Sequence, residues 1–352
     1  MPDAAEPGGV DLDHLRPWFA EHVPGATSAP LRAELIAGGR SNLTYTISDD
    51  EHTWVLRRPP LAHVVETAHD MGREFRVLAA LADSDVPVPR VHALCDDPEV
   101  IGAPFYVMER VEGNVLRDAA AVATLAPDEA RRCSEALVDV LARLHSVDYQ
   151  AVGLGEFGRP EGFLSRNVRR WGKQWLANKT RDVPAIDELV RRLDAALPES
   201  GAPAIVHGDY RLDNTMLASD DPGRIAAVLD WEMSTVGDPL TDLGLFLVYS
   251  GMGGGVAGVR SVSAVSEAGG FLSPDEIIER YGAATGRNLD HLDFYVVFAF
   301  YKLAVILEGI NARFQMGKTV GEGFDEIGEG VTALVDAALT RAAASSDPKL
   351  RG

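Results

Sequence analysis

Residues 205–232 read IVHGDYRLDNTMLASDDPGRIAAVLDWE. Two short apolar strands are predicted here, Ala204–Val206 and Ile225–Leu229, and each runs into an aspartate. The first gives His207-Gly208-Asp209, with Asn214 five residues after the aspartate. The second gives Asp230-Trp231-Glu232. An aspartate at a strand end, beside a second carboxylate and a carboxamide, suits a particular chemistry. One carboxylate accepts a proton from a hydroxyl. The other, with the asparagine oxygen, holds a hard cation such as Mg²⁺. Two solvated surface turns would need neither this spacing nor a strand ahead of each aspartate.

Asp-x-x-x-x-Asn followed by strand-Asp resembles the arrangement that protein kinases use for phosphoryl transfer. His207-Gly208-Asp209 in place of His-Arg-Asp, and Asp230-Trp231-Glu232 in place of Asp-Phe-Gly, resemble the aminoglycoside-phosphotransferase branch of that superfamily. GGRSNLTY (38–45), VLRRPP (55–60), PFYVMERVEG (104–113), HGDYRLDN (207–214) and LDWEMSTVGDP (229–239) are similar to a narrower group: kinase-like domains fused to acyl-CoA dehydrogenases. The resemblance runs from Leu35 to Ala344 with its elements in order. It implies an α+β, bilobal, protein-kinase-like fold. Residues 1–110 would form a small antiparallel-sheet N-lobe with one helix, and 1–10 are expected to be disordered. Residues 111–345 would form a mainly helical C-lobe, followed by a 346–352 tail.

The resemblance also implies roles. Asp209 orients an acceptor hydroxyl and takes its proton. Asn214 and Asp230 hold Mg²⁺ against the phosphates of ATP. Gly38-Gly39-Arg40-Ser41-Asn42 is a glycine turn between two strands, and such a turn can lay backbone N–H groups over phosphates. The strand Thr53–Arg58 carries Arg57 where kinases place a lysine. Arginine keeps the charge and adds a bidentate fork. Whether Arg57 or Arg58 faces the nucleotide is left open at this point, as is ATP against GTP. Glu74, on a helix predicted over Val64–Ala82 with Phe75, Leu78 and Leu81 as its apolar face, is the candidate brace for that arginine. Met108, Glu109 and Val111 occupy the hinge positions that hold the nucleotide base. Asp242, in Gly237-Asp238-Pro239-Leu240-Thr241-Asp242, is expected to brace the catalytic loop.

Composition limits the alternatives. The 352 residues are 46% hydrophobic and 24% charged, ordinary for a globular chain with a sizeable core. A formal charge of -20 argues against a general nucleic-acid or anionic-membrane binder, so no nucleic acid and no membrane partner is expected. Cys95 and Cys133 are far apart and suggest neither a disulfide nor a zinc framework, which fits a reducing, cytoplasmic compartment. The most apolar stretch, Phe294–Ile310, is interrupted by Lys302 and Glu308 and suits a buried helix.

Ser165–Arg181 is the exception to the acidic balance. It carries Arg166, Arg169, Arg170, Lys173, Lys179 and Arg181 without an acid. Trp171 and Trp175, four apart, share a helical face. A solvated basic helix with two core tryptophans accounts for this. So does an anion-binding wall that helps hold the acceptor, since arginines recognise phosphates and tryptophans stack on rings. Gly253, Gly255 and Gly258 fit G-x-G-x-x-G, but a helix precedes them, and Gly317-Lys318-Thr319 lacks the first glycine of a Walker A loop. Gly251–Gly270 is expected to be a loop near the acceptor.

The resemblance implies that the acceptor is a small molecule bearing a hydroxyl. The acyl-CoA dehydrogenase resemblance implies a hydroxyacyl-CoA. An aminoglycoside or another small alcohol is the alternative, as is a nucleotide-binding, non-catalytic partner of acyl-CoA metabolism. A homodimer or an acyl-CoA dehydrogenase partner is left open. The chain has no room for a dehydrogenase domain, so no flavin chemistry is expected of it.

Overall fold

A computed structural model describes residues 7–36, 42–61, 70–253, 269–317 and 327–352. Gly38–Ser41, residues 64–69 of the helix expected over Val64–Ala82, most of Gly251–Gly270 and Lys318-Thr319 lie outside the described residues. The chain divides into two compact units. The first is Met1–Glu112 with Ala226–Glu232, and the second is Gly113–Ile225 with Met233–Gly352.

The first unit is built on an antiparallel sheet. Its strands are β1 (Arg32–Leu35), β2 (Leu43–Ser48), β3 (Thr53–Arg58), β4 (Val91–Cys95) and β5 (Phe105–Glu109), in the order β1-β2-β3-β5-β4. Side chains on a strand alternate between faces. Tyr45 and Ile47 on β2 therefore turn inward together, opposite Leu56 and Trp54 of β3. Helix α1 (Leu12–His22) adds Leu15 and Phe19 to that core, and Phe19 meets Trp54 edge-on at 5.6 Å. The Asp11 carboxylate caps α1, accepting from the N–H groups of Asp13 and His14 at 3.1 Å.

Helix α2 (Met71–Leu81) is capped by Asp70 and buries Met71, Glu74, Val77, Leu78 and Leu81. The apolar face differs from the expected one by a residue. Phe75 is half-buried, edge-on to Tyr106 at 6.4 Å, and Glu74 takes the inward position instead. A carboxylate goes inward only where cations and donors meet it.

The second unit is mainly helical. Its helices are α3 (Ala119–Val122), α4 (Pro127–Leu144), α5 (Phe163–Asn178), α6 (Pro184–Ala195), α7 (Leu240–Leu247), α8 (Pro274–Thr285), α9 (Leu292–Gln315), α10 (Ile327–Ala344) and α11 (Pro348–Arg351). Proline at the first turn and Glu129 on the Ala126 N–H start α4. Helix α9 is buried along most of its length and packs on α5, α7 and α10. Strand β6 (Ala204–Val206) pairs antiparallel with β9 (Thr235–Gly237), a strand the sequence analysis did not anticipate. Between them come β7 (Thr215–Leu217) and β8 (Ile225–Val228), and β8 leads the chain into the first unit. Cys95 and Cys133 are free thiols. No helix among the described residues is long and apolar enough to cross a membrane.

Candidate active site

In the second unit the wholly buried β6 runs into His207. Gly208 then turns with φ +89°, and a Cβ there would sit 2.6 Å from the Met233 carbonyl oxygen. Only glycine fits both constraints. Gly208→Ala is expected to lower stability by about 2 kcal/mol or more, read by denaturant unfolding. Asp242 on α7 clamps the turn, accepting from the N–H groups of His207 at 2.6 Å and Gly208 at 2.8 Å. This is the brace expected of it, formed by a carboxylate that is 1% exposed.

Behind Asp242 lies His145 at the end of α4. Its Nε2 is 3.3 Å from Asp242 Oδ2 and its Nδ1 is 2.8 Å from the Tyr281 hydroxyl. A neutral ring protonated on Nε2 satisfies both, donating to Asp242 and accepting from Tyr281. Burial holds the imidazole below its ordinary pKa, although Asp242 pulls the other way. The unfolded chain therefore binds a proton that the folded chain does not. The stability that His145 contributes is present above the ordinary histidine pKa and is lost as pH falls from there through the lowered value. Each unit of depression is worth about 1.4 kcal/mol. Thermal unfolding between pH 7.5 and 5 should show this loss, and His145→Gln should flatten it.

Asp209 follows the turn, its side chain 26% exposed. Asn214, on a short 3₁₀ turn (Leu212–Asn214), donates through Nδ2 to the Asp209 carbonyl at 2.8 Å and to its Oδ2 at 2.9 Å. With Nδ2 committed to Asp209, Asn214 Oδ1 has no partner among the described residues, which suits a ligand for a hard cation. Arg211 Nε stands 3.4 Å from Asp209 Oδ2, and the Tyr249 hydroxyl donates to Oδ1 at 3.4 Å. Burial and the Asp209 charge keep that phenol protonated.

In the first unit Asp230 follows β8 and adopts φ +64°, the only positive φ outside glycine among the described residues. Such a conformation costs of order 1–3 kcal/mol and persists where its surroundings impose it. Arg57 Nη2 pairs with Asp230 Oδ1. Arg57 Nε lies 2.9 Å from Glu74 Oε2, and Nη2 is 3.8 Å from Glu232 Oε2. Glu74 also accepts from Asn42 Nδ2 at 2.8 Å and the Tyr106 hydroxyl at 3.0 Å, and Asn42 Nδ2 reaches Glu232 at 3.2 Å.

Burial works against the charge on Arg57, but Glu74, Tyr106, Asp230 and Glu232 outweigh it and raise its pKa. Burial pushes the Glu74 carboxyl up, and Arg57 pulls it back. Because adjacent strand residues face opposite sides, Arg58 turns away. It donates instead to the carbonyls of Gly9, Pro59 and Ile101. Arg57 is thus the arginine that meets the carboxylates. Arg57→Met would leave Glu74, 2% exposed, without its cation. We expect a loss of about 3 kcal/mol at pH 8, measured by urea unfolding.

Met108 is buried, Val111 is half-buried, and the Glu109 N–H donates to the Arg90 carbonyl at 2.8 Å. On α5, Trp171 and Trp175 are 3% and 4% exposed. They are core residues and offer almost no ring face for stacking, because the four-residue spacing turns both toward the apolar interior. Arg169, Arg170 and Lys173 lie on the exposed face with no ion pair among the described residues. By contrast, Arg166 is spent on the carbonyls of Arg159 and Glu161, Lys179 on Asp182 and Arg181 on Glu308. No cluster of three or more His, Cys, Asp or Glu suited to a metal occurs among the described residues.

Comparison with known proteins bears on this arrangement. The model of a family described as "Phosphotransferase enzyme family" matches residues 32–295. The chain belongs to this phosphotransferase family. A crystal structure of a putative aminoglycoside phosphotransferase from Ralstonia eutropha JMP134 is 34% identical, with a TM-score of 0.83, over 96% of this chain and 99% of that one. An aminoglycoside phosphotransferase solved as a ternary complex with ADP and hygromycin B shares the fold at 15% identity and a TM-score of 0.60, covering 89% of this chain and 95% of that one. Acyl-CoA dehydrogenase family member 11 from Homo sapiens is 36% identical over 312 residues, 88% of this phosphotransferase-family chain and 39% of the relative. A probable acyl-CoA dehydrogenase from Arabidopsis thaliana is 32% identical over 94% of the chain and 42% of its own length. The chain spans about two fifths of the length of these two curated relatives. The α+β, kinase-like fold expected from the motifs is the fold of this family.

Several site residues were not singled out by the sequence analysis. Glu232 and Tyr106 complete the Arg57 network, and Arg211 and Tyr249 flank Asp209. Lys302 entered only as an interruption of an apolar run. That interruption was itself a signal, since a charge in the middle of a buried helix must have a partner.

Proposed function

We propose that this phosphotransferase moves the γ-phosphoryl group of ATP to a hydroxyl of a small anionic acceptor, best matched by a hydroxyacyl-CoA. The observation that carries the reading is the Asp209 carboxylate, fixed by Asn214 and partly open to solvent. Asp209 orients the hydroxyl and takes its proton. Asn214 and Asp230 supply hard oxygen donors suited to Mg²⁺, which neutralises phosphate charge when bound. Arg57, braced by Glu74, contacts the α- and β-phosphates. The Gly38–Asn42 turn covers them, and Met108, Glu109 and Val111 hold the base. Positioning and charge neutralisation supply most of the rate.

The acceptor class rests on two supports. Arg169, Arg170 and Lys173 form an exposed basic face in a chain of net charge -20. Curated relatives that cover about nine tenths of this chain are named as acyl-CoA dehydrogenases. Replacing Arg169, Arg170 and Lys173 together by Ala should raise the KM for a hydroxyacyl-CoA about tenfold or more and flatten its salt dependence. An unchanged KM would remove the CoA reading. Preferential turnover of an aminoglycoside would replace it, and transfer to no acceptor would leave a nucleotide-binding partner.

A further inference from the structure

We propose that Lys302 is a positioning residue for phosphoryl transfer: its buried ammonium fixes the Gly208 carbonyl, and through it the backbone that aims Asp209. Lys302 lies in the middle of α9 and is 8% exposed. Packing alone would be served by methionine or leucine at that position, since an ammonium loses hydration when buried. Its Nζ donates to the Gly208 carbonyl oxygen. That oxygen lies beyond the β6–β9 ladder, whose last pair is Val206 with Thr235. The Gly208–Asp209 peptide therefore depends on a side chain for its carbonyl partner.

The turn is clamped from two helices. Asp242 on α7 takes the N–H groups of His207 and Gly208, and Lys302 on α9 takes the Gly208 carbonyl. The Asp209 N–H is directed at His207 Nδ1, 3.2 Å away. Rotation of the Gly208–Asp209 peptide would break the Lys302 bond and swing the Asp209 side chain. Lys302 Nζ also stands 5.8 Å from the Trp171 ring centre, and Arg170 stands 4.8 Å from the same ring. Burial holds the Lys302 ammonium below its ordinary pKa and Arg170 adds to this, while Asp209 and Asp242 pull the other way.

The inference rests on the reading of Asp209 as the base, and the test separates the two. Phosphate release from Mg-ATP, with water as acceptor, is measured for wild type, Lys302→Met, Lys302→Gln, Asp209→Asn and Asp209→Asn/Lys302→Met. Each variant is checked for folding by circular dichroism. Lys302→Met should lose about 10²-fold in kcat with KM for ATP within about threefold, as expected of misaimed rather than lost machinery. Lys302→Gln keeps an N–H donor without the charge, and should recover about tenfold of that loss.

The double variant should be no slower than Asp209→Asn, because both changes act on one group. A folded Lys302→Met with kcat within threefold of wild type would overturn the inference. So would losses that multiply in the double variant, equal losses in both Lys302 variants, or failure of both to fold. Wild-type turnover in Asp209→Asn would instead remove the base assignment on which the inference stands.

Discussion

Asp209→Asn is expected to lower kcat for transfer from ATP about 10³-fold while leaving Mg-ATP affinity within a few-fold of wild type. General-base catalysis contributes about 10²–10⁴-fold, and the carboxamide cannot take the proton. The change is nearly isosteric. Asn214 still finds an acceptor on the new side chain and keeps its bond to the residue-209 carbonyl, and the Gly208 turn stays clamped by Asp242. A fall in kcat without a fall in nucleotide affinity therefore reports the lost base. Steady-state kinetics with a calorimetric titration of Mg-ATP would show both. A variant that turns over at the wild-type rate would show that Asp209 does not take the proton.

Asp230→Ala is expected to weaken Mg-ATP binding by at least about 30-fold, roughly 2 kcal/mol, and to erase its dependence on Mg²⁺. Asp230 brings together two demands. It is a hard-oxygen donor, and it is one of the carboxylates that surround Arg57. Its φ of +64° places the side chain by a backbone conformation that alanine also disfavours, so some stability should be lost as well. Titration of ATP with and without Mg²⁺ separates these effects. Affinity that stays Mg²⁺-dependent and unchanged in Asp230→Ala would discredit the metal assignment. The pairing of Arg57 with Asp230 adds a corollary to the proposed assignment: nucleotide phosphates would compete with Asp230 for one guanidinium.

Much of this was legible in the chain because strands and aspartates leave period-two and end-of-run signals. Tyr45 and Ile47 mark β2 by alternation, and the apolar β6 marks the position of His207-Gly208-Asp209. Glu74 was reached from its place in the element order, although Phe75 rather than Glu74 had been assigned inward. Local pattern favours the aromatic, and only the Arg57, Asn42 and Tyr106 donors explain why the carboxylate is buried instead. The choice between Arg57 and Arg58 could not be made from adjacent identical residues, and the strand's two faces decide it. The left-handed backbone of Asp230 has no sequence signature, because aspartate is not a residue that the conformation requires. Lys302 and Gly208 are 94 residues apart, so their bond was invisible to any local pattern. Trp171 and Trp175 show the reverse problem. Their spacing identified a shared face and left core packing and ring stacking both open, and their burial decides for the core.

The account turns on where the γ-phosphoryl group goes. The most direct measurement is transfer from γ-labelled ATP with Mg²⁺ to a panel of hydroxyacyl-CoAs, sugars and aminoglycosides, with products resolved by mass. The account predicts a phosphorylated hydroxyacyl-CoA formed by the wild type and lost in Asp209→Asn. Label that remains in ATP and free phosphate across the whole panel would contradict it.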